Sequence, residues 1–164
     1  MIQSAVGKTE NGKKNGEWKS YYKNGQVAKI ECYVNDTLNG TCSYFGENGE
    51  IKQKVSYNMG TTVDSFITYF QNGNPNLEEW KDSNGRTQGL FRVYHPNGQL
   101  SQLGHMNDDY LDDTCKTFFD NGQPRTIEYY KKRKKEGAWQ YFSARGKLIK
   151  TEHYSNDTLK STAN

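Results

Sequence analysis

GEWKSYYKNGQV, residues 16–27, decides the fold. An aromatic-rich stretch runs up to Asn24-Gly25, and a polar-aliphatic stretch follows it. Asn-Gly between two such runs is the strongest short-range signal for a β-hairpin. Asn and Gly both tolerate positive φ, and Gly takes a left-handed bulge position without steric cost. The flanking stretches are rich in Tyr, Trp and Val, which suit a pleated strand.

The same pattern recurs along the chain. Turn glycines stand at 25, 49, 73, 98, 122 and 146, spaced by 24, 24, 25, 24 and 24 residues. A second series lies nine residues earlier, at Gly16, Gly40, Asp64, Gly89, Asp113 and Gly137. Such self-similarity marks an array of supersecondary units. Two places after the early Gly or Asp come Trp18, Cys42, Phe66, Phe91, Cys115 and Trp139. Five places after it come Tyr21, Phe45, Tyr69, Tyr94, Phe118 and Phe142. The two positions differ in parity, so either the strand carries a bulge or both faces carry rings.

The expected fold is all-β: an elongated, twisted, single-layer antiparallel sheet of tandem hairpins of about 24 residues each, without substantial helix. It is read as one repeat domain over residues 1–164, with a half repeat at 2–15 and full repeats starting near 16, 40, 64, 89, 113 and 137. SNDTLKS (155–161) reads as a connector with no strand after it, opening a C-terminal tail at 155–164. The third unit is the irregular one, with Trp80 a place early and an extra Asn84-Gly85.

Composition agrees with a thin structure. Leu, Ile, Val and Phe make up about 16% of the chain, which alone would suggest disorder. Net charge is only +3, however, and 12 Tyr, 7 Phe and 3 Trp supply the burial. No apolar run approaches the roughly 20 residues that cross a bilayer. The N-terminus lacks a charged-then-apolar signal segment, so a cytoplasmic location is expected, or an exported or lipid-anchored one if the N-terminus is trimmed.

Cys42 and Cys115 occupy ring positions of the repeat and read as small buried hydrophobes. A Cys32–Cys42 disulfide stays open for an oxidising compartment. Cys32 and Cys42 flank one connector and His105 and Cys115 another, three repeats apart, too far for a four-ligand zinc site. No nucleophile elbow, phosphate loop or dinucleotide fingerprint is present. The reading is of a non-catalytic protein with no metal and no cofactor.

GEWKSYYKNGQ (16–26), GLFRVYHPNGQL (89–100) and GAWQYFSARGKL (137–148) resemble the MORN repeat, in the variant form common in bacterial proteins. The resemblance covers nearly the whole chain. Cys42, Cys115, Asp64 and Asp113 depart from its motif. It implies a single-layer antiparallel sheet and a binding role. Members described as antitoxins or immunity proteins make a protein partner, a cognate toxin in particular, the expectation, and membrane-associated or scaffolding relatives supply the alternative.

Candidate contacts lie where the repeats disagree. The acidic connector offers Asp108, Asp109, Tyr110, Asp112 and Asp113 to a basic partner surface. The next connector offers Lys131, Lys132, Arg133, Lys134 and Lys135 to an anion or an anionic lipid. The two should attract each other across neighbouring repeats, and four carboxylates beside five cations make a poor field for nucleic acid. Less regular rings, Tyr22, Tyr44, Phe70, Trp80, Tyr129 and Tyr141, are the candidate aromatic anchors.

Overall fold

The computed structural model describes residues 2–164 and divides into two compact units, Met1–Arg86 and Thr87–Asn164. The first unit contains β1 (Ile2–Glu10), β2 (Lys13–Tyr22), β3 (Val27–Val34), β4 (Thr37–Leu38), β5 (Gly40–Phe45), β6 (Ile51–Asn58), β7 (Thr61–Tyr69) and β8 (Pro75–Lys81). The second contains β9 (Gly89–Tyr94), β10 (Leu100–Asn107), β11 (Tyr110–Phe118), β12 (Pro124–Lys131), β13 (Lys134–Lys135), β14 (Gly137–Phe142), β15 (Leu148–Ser155) and β16 (Thr158–Ala163). Within each unit the strands pair antiparallel in chain order, as an open sheet of tandem hairpins. The two-residue β4 and β13 pair only with β3 and β12. No helix occurs among the described residues.

The turn chemistry explains the Asn-Gly signal, with one revision. Gly25 takes φ 83°, whereas Asn24 is not among the residues of positive φ. Gly25 N–H donates to the Tyr22 carbonyl and Tyr22 N–H to the Gln26 carbonyl. Asn24 contributes through its side chain instead: Oδ1 accepts from Gln26 N–H at 3.1 Å, and Nδ2 donates to the Glu47 carbonyl of the next turn at 2.6 Å. Asn97 and Asn121 make the same link to Asp120 and Ala144. Asn is therefore the turn residue that ties one hairpin to the next.

Each of the six full repeats also carries a one-residue bulge, and it lies in the second strand. Ser20 pairs with Lys29 and Tyr21 with Val27, leaving Ala28 unopposed. Lys52, Asn76, Ser101, Arg125 and Ile149 are skipped in the same way. The bulge thus lies in the partner strand, opposite the second aromatic position, and not between the two aromatic positions. A second irregularity falls at the early Gly or Asp: Asp64 and Asp113 sit at φ 55° and 71°, beside Gly16 at 71° and Gly137 at 67°. Asp enters the left-handed region more readily than most residues, so it keeps the backbone that Gly keeps elsewhere.

The C-terminal segment corrects the reading of a connector without a strand, because Thr158–Ala163 forms β16 on β15. Ser161 stands where other repeats place the left-handed Gly or Asp. The register there slips past only Lys160, and the chain runs on as strand.

Candidate functional site

One face of each unit is built by a row of directly opposed residues. In the second unit Phe91 opposes Gly104, Gly104 opposes Cys115, and Cys115 opposes Glu128, while Trp139 opposes Glu152. A Cβ on Gly104 would meet Phe91 at 2.6 Å and Cys115 Sγ at 3.3 Å, so these side chains share one face. The first unit repeats the row with Trp18 against Glu31 and with Cys42, Val55, Phe66 and Glu79 in succession. We call this the ring face. Cys42, Val55, Phe91, Cys115 and Trp139 are buried on it. The three cysteines are free thiols, and burial raises the Cys42 and Cys115 pKa values.

A carboxylate recurs in that row, six residues after the turn glycine, at Glu31, Glu79, Glu128 and Glu152. Each is met by donors on the same face. Glu31 accepts from Lys29 Nζ at 2.9 Å and Tyr33 OH at 3.0 Å. Glu79 pairs with Lys81 at 2.8 Å. Glu128 accepts from Thr126 Oγ1 and Tyr130 OH, both at 2.9 Å. Glu152 accepts from Lys150 Nζ, Tyr141 OH and Tyr154 OH at 2.6, 2.7 and 3.0 Å. The Lys150 hydrogen bond, then that of Tyr141, hold the Glu152 carboxyl down to about 2. Burial, then the Glu31 hydrogen bond, push Tyr33 up to about 12, and the same causes with Glu128 raise Tyr130.

Two repeats carry a fuller version. Trp139 lies between the rings of Tyr130 and Tyr154, each with its centroid 5.2 Å away, and Lys135 Nζ stands 4.2 Å over it. In the first unit Lys14 Nζ stands 4.7 Å over Trp18 and 4.8 Å over Tyr33. Trp18 and Trp139 Nε1 each donate to a backbone carbonyl ten residues earlier, at Lys8 and Tyr129. Lys14 and Lys135 occupy the same repeat position, so the lysine and the tryptophan come as a pair. Cation–π stacking of this kind contributes about 0.5–1 kcal/mol. The ring-face tryptophans and carboxylates are thus partnered from within the sheet, while Thr68 Oγ1 is buried without a hydrogen bond.

This layout repeats at the period of a known family. The family model described as the MORN repeat variant matches residues 14–35, 38–59, 87–108, 114–132 and 135–156, more than half of the chain. The chain belongs to the MORN repeat variant family. No curated protein matches it. The unmatched stretch between 59 and 87 of this MORN array holds the irregular third repeat, where Asp82–Gly85 forms an additional tight turn. MORN repeats make this a repeat-based binding protein.

The anticipated contact residues of the MORN array fall into three places. Tyr44 and Tyr141 stand on the ring face, Tyr141 bonded to Glu152 and under Lys150. Tyr22 ends β2 and Phe70 follows β7, each leading into a turn, and Tyr22 OH donates to the Phe45 carbonyl at 2.7 Å. Trp80, 52% exposed, alternates with Glu79 in β8, and Tyr129, 37% exposed, alternates with Glu128 in β12, so each points away from its unit's ring face. The charged residues line the connectors and are largely employed there. Asp109 Oδ1 accepts from Thr87 N–H at 2.6 Å, and Asp112 Oδ1 from Lys132 N–H at 3.1 Å. Asp108 N–H donates to Gln88, and Asp113 Oδ1 accepts from Thr114 Oγ1. Arg133 lies 3.5 Å over the Tyr110 ring. Lys131, Lys132, Arg133 and Lys134 are exposed, whereas Lys135 is drawn onto Trp139.

Sequence reasoning passed over the carboxylate row and Lys14. The signal for the row was the recurrence of Glu six places after the turn glycine, and for Lys14 its shared position with Lys135. Among the described residues no group of His, Cys, Asp or Glu could hold a metal ion.

Proposed function

We propose that this MORN array is a non-catalytic protein that binds and covers a protein partner, and that the partner is a toxin it neutralises. The supporting observation is the division of labour between side chains. The ring-face aromatics and carboxylates bond one another, while Trp80, Tyr110 and Tyr129 remain exposed at 52%, 46% and 37%. Exposed aromatics on a rigid repeat scaffold are the usual anchors of protein recognition. The toxin class is supported by the family resemblance alone. Expression with and without the product of a neighbouring gene tests it. Neutralisation predicts that the neighbour is harmful by itself, is harmless with this chain, and copurifies with it. A harmless neighbour, or one that does not bind, overturns the toxin reading.

A second reading rests on the exposed Lys131, Lys132, Arg133 and Lys134, a cationic connector suited to anionic lipid. Flotation with phosphatidylserine vesicles tests it, and equal flotation of a variant with all four changed to Gln would sink it.

A further inference from the structure

The second unit has a face opposite the ring face, and its chemistry differs. Alternation along β9 to β12 places Leu90, Leu103, Ile127 and Tyr129 there, with His105 and Lys116 among them. Leu90 is 46% and Tyr129 37% exposed, so this is apolar surface left in water. Leu90, Leu103, Gly104, His105, Asp113, Thr114 and Lys116 line a shallow depression of about 220 Å³. The Asp113 carboxylate accepts the Thr114 hydroxyl at 3.1 Å. Glu128 and Glu152 point to the other side and are bonded there. The corresponding face of the first unit carries exposed Trp80 and a hydroxyl ladder, Thr41, Ser56 and Ser65 linked at 3.2 and 3.1 Å.

We propose that this face of the second unit docks a protein surface of acidic and aliphatic side chains. Lys116 and Lys131 select carboxylates, and the depression receives an aliphatic side chain that loses its water there. Lys116 is exposed in the lining of the depression, and Lys131 is exposed two residues beyond Tyr129 on the same strand face. Complementarity of charge around a desolvated apolar centre sets both partner choice and association rate. A membrane also offers anionic charge over apolar chains, but it is engaged by apolar groups that project. A recess that accepts a side chain fits a protein better. The inference rests on the protein-binding reading and names the surface and the partner's chemistry.

Amide shifts of the isotope-labelled full chain, titrated with short synthetic peptides, test it. A Glu/Leu peptide is expected to shift the amides of Leu103, Lys116 and Ile127, and a Lys/Leu peptide at the same concentration is not. Lys116→Glu, an exposed change, should weaken the Glu/Leu peptide about tenfold, the scale of one lost central contact. Equal response to both peptides, indifference to Lys116→Glu, or shifts confined to the ring face overturn the proposal. Binding to phosphatidylserine vesicles without any response to the peptide overturns it in favour of a membrane. The two readings fail separately. A neighbouring toxin that binds wild type and Lys116→Glu alike removes only this surface, and a peptide response without such a toxin removes only the toxin.

Discussion

Asp113 occupies backbone at φ 71°, close to that of Gly16, Gly89 and Gly137 in other repeats. The left-handed region costs an ordinary L-residue about 1–2 kcal/mol through crowding at Cβ, and Asp offsets part of this by local hydrogen bonding. Asp113→Gly should therefore leave urea stability within about 0.5 kcal/mol, while Asp113→Val should lose about 1–2 kcal/mol. Glu152 gives a pH-dependent counterpart. Its carboxyl titrates at about 2 in the folded chain against an ordinary 4.5, because Lys150 and then Tyr141 donate to it. A depressed folded pKa contributes stability that is complete above the ordinary value and is lost as pH falls through the folded one. The thermal midpoints of wild type and Glu152→Gln should accordingly differ most above 4.5 and converge toward 2.

At the level of elements, consecutive connectors are clasped by their own backbone and side chains. Asp36, Asp109 and Asp157 each accept, through Oδ1, the N–H of a residue in the preceding connector: Lys14, Thr87 and Lys135. Each returns its own N–H to the same residue's carbonyl. Thr87 is buried, so Asp109→Ala leaves its amide without that acceptor and should cost about 1–3 kcal/mol. Faster hydrogen exchange at Thr87 would report it, and unchanged exchange would count against the clasp. These clasps show why the hairpins were legible in sequence and the charged runs were not. Asn24-Gly25 acts within its own turn, which local pattern records. Asp109 and Asp112 act on residues about twenty positions away, and only the register reveals them as backbone acceptors. The carboxylate row was written in the sequence at a fixed offset from the turn glycines. Its role depended on Tyr and Lys from the same face, and the bulge hides that facing from simple alternation.

At the scale of the molecule, the regular residues hold the repeats to one another, and the proposed recognition surface is built from what is irregular. The ring face is occupied by its own tyrosines, lysines and carboxylates. The opposite face of the second unit keeps apolar side chains in water beside exposed cations. Changes on the two faces should therefore have different consequences. Tyr141→Phe, which removes a donor to Glu152, should lower stability by about 0.5–1.5 kcal/mol and leave partner affinity alone. Lys116→Glu should do the reverse. The most direct test is calorimetric titration of the neighbouring gene's product into wild type, Tyr141→Phe and Lys116→Glu. One-site binding is expected, equal for wild type and Tyr141→Phe and about tenfold weaker for Lys116→Glu. Loss of binding with Tyr141→Phe alone, or no binding by wild type, would contradict it.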